Sequence, residues 1–285
     1  MAKTKAGVPA KAKSNLPATG GMNFRRDQTG GKSNMDVDSL ATPFLKVLQK
    51  GSPQVDESSG VTLKGAKEGM FYETTSQRLH DGKKGIIIVP CGFRRIFVHW
   101  GPKFGQFKGT FTPEQVAGMR ADETLMTEGN RLFFPINGKI DVKKCDRVVD
   151  TREHYLLLLE KDRVQRILFP LASTQIKKSR HLNSALDDFR IEDDEGSFSP
   201  PTYAHRIRAT TAAESNDEGS WAGVNFAFDR LLNENDAAEV EVYKIAKAFS
   251  ESIEAGRVAG DYSKLDEGPV GDDDTRETPE RRRGF

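Results

Sequence analysis

The stretch "HYLLLLEKDRVQRILFPLASTQIKKSRHLNSALDDF", residues 154–189, decides the fold prediction. It opens with two apolar runs, residues 154–160 and 163–172, and their separation by a short polar turn is typical of neighbouring β-strands. A helical pattern follows, and either Ser173 or Thr174 can cap its start. The apolar residues at roughly helical spacing are Ile176, Leu182, Leu186 and Phe189. The stretch therefore predicts two inner strands followed by one amphipathic helix.

More strand patterns surround this stretch, and Gly, Pro, Asn or Asp bounds each of them. Upstream they occupy residues 69–75, 85–100 and 130–136. Downstream, residues 203–211 and 221–228 flank a turn-rich segment and predict a hairpin. A five-stranded Greek-key barrel with a helix between its third and fourth strands is the OB arrangement. The sequence therefore predicts a mainly β protein with α elaborations (α+β), built on an OB-like Greek-key barrel with one inserted helix.

The chain divides into four predicted segments. Residues 1–40 form a disordered basic arm, and residues 41–232 form the OB-like nucleic-acid-binding domain. Residues 233–256 form a C-terminal amphipathic helix, whose apolar stripe consists of Val242, Ile245, Phe249 and Ile253. Residues 257–285 form a disordered, mostly acidic tail.

Composition excludes several classes of protein. The net charge of +1 shows no overall basic excess, so the local distribution of charge matters more than its sum. The two cysteines are far apart and lack the paired spacing of a zinc site, so we expect no metal and no cofactor. Without a signal peptide or a long apolar run, we expect a soluble cytoplasmic protein without membrane contact, located in the host cytoplasm if a phage encodes it.

The stretch "GFRRIFVHWGPKFGQFKG", residues 92–109, combines aromatic rings with positive charges. Because side chains alternate along a strand, Ile96, Val98 and Trp100 are predicted to face the core, with Trp100 in the core or at its rim. The opposite face is predicted to carry Phe93, Arg95, Phe97 and His99. The following loop is predicted to expose Lys103, Phe104, Phe107 and Lys108.

Two other segments repeat this combination of rings and charges. In the predicted hairpin, Arg206 and Arg208 share a basic face, Trp221 lies on an accessible face, and Phe226 and Phe228 point to the core. The predicted helix adds a basic cluster. The candidate nucleic-acid-binding residues are Arg95, Phe97, His99, Trp100, Lys103, Phe104, Phe107, Lys108, Lys177, Lys178, Arg180, Arg206, Arg208 and Trp221.

Single-stranded nucleic acid suits such a surface, because its unstacked bases pack on aromatic rings and its phosphates pair with basic groups. The sequence therefore predicts a non-catalytic protein that coats single-stranded DNA without strong sequence preference. One alternative is a virion or assembly protein whose termini bind other proteins. Another is a metal-dependent nucleic-acid enzyme that uses the acidic segment 187–196. No catalytic motif is present among the histidines or serines, so we predict no enzyme.

Three segments carry a resemblance to a known family: "PFLKVLQKGSPQV" (43–55), "STQIKKSRHLNSAL" (173–186) and "TTAAESNDEGSWAGVNF" (210–226). Across residues 42–228, the chain resembles the single-stranded DNA-binding proteins of tailed bacteriophages. The resemblance implies an OB-type domain that coats single strands during DNA replication, recombination and repair, without a cofactor or catalysis.

The resemblance also implies a role for the tail. Proteins of this kind carry an acidic C-terminal tail with a terminal aromatic residue that recruits replication or recombination proteins. Asp272, Asp273, Asp274 and Phe285 fit that pattern. The basic run of residues 281–283 departs from it, which puts recruitment through the tail in doubt.

Overall fold

The computed structural model describes residues 42–217 and 219–265. The predicted basic arm therefore lies outside the described residues, and so do the predicted partner-binding residues Asp272, Asp273, Asp274 and Phe285. In chain order the strands are β1 (Leu45–Val47), β2 (Phe71–Glu73), β3 (Leu79–His80), β4 (Ile86–Trp100), β5 (Phe107–Phe111), β6 (Met126–Glu128), β7 (Arg131–Phe134), β8 (Asp146–Glu160), β9 (Arg163–Ala172), β10 (Ile191–Asp193), β11 (Gly196–Phe198), β12 (His205–Asn216) and β13 (Gly219–Leu231). The helices are α1 (Pro113–Ala121), α2 (Ile176–Asp188) and α3 (Ala237–Glu254).

The largest sheet is organised around β4 and β8, which are 15 residues long each and pair antiparallel over almost their whole length. The sheet has the order β13-β12-β4-β8-β7-β6, with β5 also pairing with β4 and β9 with β8. The runs "IIIVP" and "YLLLL" pair at the centre, and such continuous apolar runs are typical of strands that are buried on both faces.

Helices and a small sheet cover most of both faces of this sheet. Helix α3 packs on one face, where its apolar stripe meets Val89, Tyr155 and Leu157. Helix α2 and the small sheet of β1, β2 and β3 cover the other face, where Leu182 and Leu186 of α2 join the core. Helix α1 lies on the same face past the edge of α2, where it covers the sheet near the end of β4. The long strands therefore leave an uncovered strip between α1 and α2, and the candidate site lies on this strip.

The sheets formed by the described residues do not close on themselves. The prediction of a mainly β protein with helices is confirmed, whereas the closed OB-like barrel is not. Residues 43–49 lie in the gap between β9 and β13. The carbonyl of Pro43 accepts a hydrogen bond from Leu168 N at 2.8 Å, and the Gln49 side chain binds both the N–H and the carbonyl of Ala222 at 2.9 and 3.0 Å. The N-terminal segment thus connects the two open edges.

Ordered structure continues past the helix boundary that was predicted at residue 256. Val258, Tyr262 and Leu265 are buried against the face that α3 covers. The Tyr262 hydroxyl donates a hydrogen bond of 3.0 Å to the carboxylate of Glu153, which also accepts one of 2.9 Å from Tyr155. Burial raises the pKa of Glu153, while these two hydroxyls and Arg94 oppose the increase. Among the described helices, none is both long and apolar enough to cross a membrane.

The predicted strands and helices are present, but several of their details were wrong. The predicted turn at residues 213–220 is mostly strand, because β12 ends at Asn216 and β13 begins at Gly219. Phe228 was assigned to the core but is 50% exposed, since it lies near the open edge of the sheet. Helix α2 has no side-chain cap at its start, and residues 173–175 form a short 3-10 turn instead. Three elements between β4 and β8 were not predicted, namely β5, α1 and β6.

Candidate nucleic-acid interface

A β-bulge in β4 determines which side chains share the uncovered strip. The pairing of β4 with β8 shifts by one residue between Pro90 and Gly92. A bulge inserts one residue into one strand, so the side chains beyond it change faces. Ile86 and Ile88 before the bulge therefore share a face with Phe93 and Arg95 after it. Without the bulge, Arg95 would point to the face that α3 covers.

The register between β4 and β8 brings two arginines together. Arg95 lies directly opposite Arg152, and two positions along the strands, on the same face, Phe97 lies opposite Asp150. Asp150 forms two hydrogen bonds with Arg95, from Nε at 3.1 Å and from Nη2 at 2.7 Å, and one of 3.2 Å with Nη2 of Arg152. Arg180 of α2 lies close enough to Arg152 to repel it electrostatically. We call Arg95, Arg152 and Arg180, together with Asp150, the arginine cluster.

The arginine cluster carries more positive charge than its own carboxylate neutralises. Arg152 is only 8% exposed, and among the described residues its buried Nε has no hydrogen-bond partner. Burial lowers the pKa of Arg152, Asp150 opposes this change, and the positive charges of Arg95 and Arg180 add to it. An arginine nevertheless keeps its proton at neutral pH. The cluster therefore holds three guanidinium groups against one carboxylate, which favours the binding of an anion.

An exposed aromatic ring adjoins the arginine cluster. Phe93 lies two positions along β4 from Arg95, on the same face, and 41% of its surface is exposed. Its ring packs against the buried ring of His154, with 5.2 Å between the centroids. His154 Nε2 lies 2.7 Å from Ser179 Oγ of α2, which fixes the helix over the strands. Burial, and secondarily Arg152, lowers the pKa of His154 to about 3, so the imidazole is neutral at neutral pH.

Helix α2 connects the arginine cluster to the β12–β13 hairpin. Arg180 is exposed on the side of the cluster, and Lys177 is exposed as well. Lys178 points to the hairpin, where its Nζ lies 2.7 Å from Glu214 Oε1 and donates to Asn225 at 2.8 Å. The other carboxylate oxygen of Glu214 accepts a hydrogen bond of 3.1 Å from Trp221 Nε1. The structure thus places two of the predicted residues, Arg95 and Arg180, at the arginine cluster, and it links two others, Lys178 and Trp221, through Glu214 at the hairpin.

Phe97 was predicted to face outward, and this prediction was wrong. Its ring is only 5% exposed and packs with Val116 of α1, Leu125 and Val148. Helix α1 reaches this position because Thr112 and Gln115 form a reciprocal capping box that fixes its start beside β4. Phe97 still contributes to the surface indirectly, since the guanidinium of Arg95 lies 5.0 Å above the centre of its ring.

The other aromatic and basic candidates near β4 lie apart from the arginine cluster. Trp100 is fully buried, as the alternation pattern predicted for Val98 and Trp100, and it cannot contact a ligand in this conformation. Phe104 and Phe107 pack against the same core, Phe107 with its ring 5.9 Å from that of Trp100. The basic candidates of this region also lie away from the arginine cluster. His99 and Lys108 both bind Asp146, at 2.9 and 2.6 Å, while Lys103 is exposed beside Phe104.

The arginines of β12 have partners in the fold. Arg206 binds Asp229 at 3.2 Å and Glu239 at 2.5 Å, and Arg230 also binds Glu239. The hydrogen bond from Arg230 lowers the pKa of Glu239 to about 2. Glu239 lies in the first turn of α3, so Arg206 attaches that helix to the sheet. Arg208 is more exposed, and its nearest carboxylate oxygen, on Asp229, is 3.9 Å away.

The acidic segment 187–196 leads from the end of α2 into a surface hairpin. Strands β10 and β11 pair there, and Asp193 accepts hydrogen bonds from the N–H groups of Glu195 and Gly196 at 2.8 and 3.1 Å. Over residues 42–217 and 219–265, no group of three or more histidine, cysteine or acidic side chains is arranged to hold a metal ion.

Two residues of the interface were not among the predicted candidates. The alternation of β4 places Phe93 on the outward face but does not mark it as a binding residue, and Arg152 is not among the candidates from the sequence. In "DTREH", residues 150–154, five consecutive polar or charged residues interrupt an otherwise mostly apolar strand. Such an interruption within a long strand indicates a polar site, although it does not show which face of the sheet carries Arg152.

The comparisons with known proteins give one match. A model of the family described as "Pam3 phage gp34-like protein" matches residues 11–259, a span that includes the interface residues on β4, β8, α2 and the hairpin. No curated protein and no solved structure matches the chain.

Proposed function

We propose that this chain, which belongs to the Pam3 phage gp34-like family and is thus a bacteriophage protein, binds single-stranded DNA during replication, recombination and repair. The observation that carries the proposal is the arginine cluster beside the exposed ring of Phe93. Its unneutralised positive charge suits a phosphate, and the adjacent ring suits an unstacked base. In duplex DNA the stacked bases would leave Phe93 without a partner.

The chemistry of the interface supports binding without strong sequence preference. Arginine contacts to phosphates carry no direct sequence information. Stacking on a phenylalanine tolerates every base, because each base has a π face. The strip presents guanidinium groups and one aromatic ring to a ligand. The side-chain amide oxygen of Asn225, on the neighbouring hairpin, already accepts a hydrogen bond from Lys178.

The order of the strands supports an OB-like origin for the domain. Strands β4, β8 and β9 are consecutive neighbours, α2 follows, and β12 and β13 return to the other side of β4. This is the order of an OB barrel, in which the second and third strands and the loops between strands 1–2 and 4–5 bind oligonucleotides. On this assignment Arg152 lies on the second strand and Trp221 next to the 4–5 loop, and residues 43–49 occupy the position where the barrel would close.

A titration of a fluorescein-labelled dT oligomer with the full chain tests the proposal. We expect fluorescence anisotropy to rise with saturable binding at low salt. The affinity should fall steeply with added salt, because each neutralised phosphate releases about 0.7 counterions from a single strand. An unlabelled mixed-sequence strand should compete about as well as dT, and a duplex of the same length should compete weakly. Absence of binding at low salt would overturn the proposal.

Replacing Phe93 by alanine measures the contribution of the ring. We expect the affinity for the dT oligomer to fall by about 5- to 150-fold, which corresponds to the ~1–3 kcal/mol of one base–aromatic stack. Stability should change little, because the ring is 41% exposed. Phe198→Ala is the matched control, since Phe198 is 44% exposed on the acidic β10–β11 hairpin. An equal effect of both substitutions would show that Phe93 does not stack on a base.

A further inference from the structure

Exposed apolar side chains gather in two charged parts of the surface. Among the described residues, seven large apolar side chains are exposed, and one of them, Phe93, belongs to the proposed DNA interface. Four of the others lie in two patches of opposite charge, Ile136 and Val142 in one and Phe198 and Phe228 in the other. Exposed apolar groups that are rimmed by polar ones mark places where proteins bind one another.

The first patch is the connection between β7 and β8, and we call residues 136–144 the basic loop. A tight turn holds it in place, because Ile136 and Lys139 exchange backbone hydrogen bonds of 2.9 and 3.1 Å. Its exposed lysines are Lys139, Lys143 and Lys144. Its one carboxylate, on Asp141, lies 3.5 Å from Lys144 Nζ. The basic loop therefore presents an excess of positive charge beside two exposed apolar side chains.

The second patch lies where α2 ends. Phe189 follows the helix, and its ring packs on that of Phe228 of β13 with 5.0 Å between the centroids. The β10–β11 hairpin begins two residues later and carries Phe198. Arg190, the one basic residue among positions 187–198, donates to the backbone carbonyls of residues 187 and 189. The exposed carboxylates around these rings are those of Asp187, Asp188, Glu192, Asp193, Asp194 and Glu195. We call these rings and carboxylates the acidic patch.

The two patches lie near opposite ends of β4. The basic loop leads into the start of β8, where Arg147 pairs with Trp100, the last residue of β4. Phe228 of the acidic patch pairs with Ile207 of β12, which pairs with Ile88 near the start of β4. The part of β4 from Ile88 to Trp100 spans about 40 Å at the usual rise of a strand. The two patches can therefore contact two different molecules.

We propose that the basic loop of one copy of this chain binds the acidic patch of a second copy. Each patch supplies the charge that the other lacks, and both offer apolar side chains that the contact would bury. A contact between two different patches is heterologous, so the copies associate head to tail in rows or rings. The basic loop has nine residues, whereas a stable interface uses roughly 20–30 residues a side, so the contact is weak in free solution.

This association does not require DNA and therefore goes beyond the proposed function. On a long DNA strand, copies that bind side by side have a high effective concentration, which strengthens a weak contact between them. On an oligomer that holds a single copy, no neighbour is present. Phe198→Ala thus remains a neutral control for Phe93→Ala on such an oligomer.

Sedimentation velocity of the DNA-free full chain, at increasing protein concentration and low salt, tests the proposal. We expect the sedimentation coefficient of the wild type to rise with concentration, and to rise less in high salt because salt screens exposed charges. Lys139→Glu/Lys143→Glu and Glu192→Lys/Asp194→Lys should each weaken the association about 10-fold or more, since each places like charges opposite one another. Lys244→Glu/Lys247→Glu, at exposed positions on α3, is the matched control and should associate like the wild type.

The variant that combines the two charge reversals separates a specific contact from a general effect of charge. It restores opposite charges with their positions exchanged, so association should return. A wild type that stays monomeric at every concentration would overturn the proposal, and so would double variants that associate like the wild type or a combined variant that does not recover. DNA binding is measured separately by anisotropy. A wild type that associates but does not bind the dT oligomer would lose the proposed function and keep the contact between copies.

Discussion

The double variant Arg95→Ala/Arg180→Ala should bind the dT oligomer at least about 100-fold more weakly than the wild type. Each arginine is expected to make a charge-assisted hydrogen bond to a phosphate, and such bonds contribute about 1.5–3 kcal/mol before the lost pairing is counted. The contribution of Arg95 should lie near the lower end of this range, because its guanidinium also donates two hydrogen bonds to Asp150. Arg152 is left intact, since its buried guanidinium makes the folded state sensitive to substitution.

The salt dependence of binding distinguishes lost phosphate contacts from a general loss of affinity. Removing two phosphate contacts should reduce the slope of log K against log salt by about 1.4, at about 0.7 per phosphate of a single strand. The matched control is Lys244→Ala/Lys247→Ala, which removes the same charge from exposed positions on α3, across the sheet from the cluster. Equal affinities and equal slopes for the two double variants would show that the arginine cluster is not the binding surface.

Replacing Asp150 should raise the affinity for the dT oligomer, whereas replacing the arginines should lower it. The carboxylate of Asp150 occupies the hydrogen-bonding positions of Arg95 and Arg152 that a phosphate would use. Asp150→Asn removes the competing negative charge and keeps the size of the side chain. Tighter binding of this variant, measured beside the Arg95/Arg180 double variant, would identify the cluster as an anion site, and weaker binding would contradict that role.

The sequence predicted whether a strand residue is buried or exposed only where the alternation within the strand decides it. The alternation in "FRRIFVHW" gave Val98 and Trp100 to the core, and both are buried. The same alternation gave Phe97 to the surface, yet α1 covers it. Helix α1 belongs to the long connection between β4 and β8, and its docking depends on contacts between distant residues. Local periodicity carries no information about such a connection.

The candidate site was predictable as a set of residue types but not as an arrangement. Arg95, Arg180 and Trp221 come from three segments that are far apart in the chain. Arg95 and Arg180 lie close together because the register of β4 with β8 and the contact of Ser179 with His154 place α2 over the strands, whereas Trp221 is linked to α2 through Glu214 and Lys178. Arg206 also belongs to a segment that combines aromatic rings with positive charges, yet it binds Glu239 of α3. The sequence does not reveal which arginines find a carboxylate, because the partners come from other elements.

Acidification should destabilise the fold through His154, which lies beneath the interface. The ordinary pKa of histidine is 6.5, and in the folded protein burial lowers that of His154 to about 3. Between these values the unfolded chain binds a proton that the folded protein excludes, so stability falls as the pH falls through this window. From pH 7 to pH 4.5 we expect His154 alone to lower the free energy of unfolding by about 2–3 kcal/mol.

The groups that contact His154 do not reverse this sign. Arg152 lies on the same strand and disfavours a second positive charge, and the rings of Phe93 and Phe226 are uncharged. The hydroxyl of Ser179 can accept or donate a hydrogen bond, so it bonds to either form of the ring. His205 adds to the effect, because burial lowers its pKa as well. Glu239 acts with the same sign but at lower pH, between its unfolded pKa of 4.5 and about 2.

Urea denaturation of the wild type and of His154→Gln at pH 7 and pH 4.5 isolates the contribution of His154. The glutamine does not titrate, and its amide can bond to Ser179. The loss of stability on acidification should therefore be smaller in the variant by about 2–3 kcal/mol, whatever the absolute stability of the variant. His181→Gln, at an exposed position on α2, is the matched control and should lose as much stability as the wild type. An identical loss in all three proteins would show that the imidazole beneath Phe93 takes up its proton as easily in the folded chain as in the unfolded one.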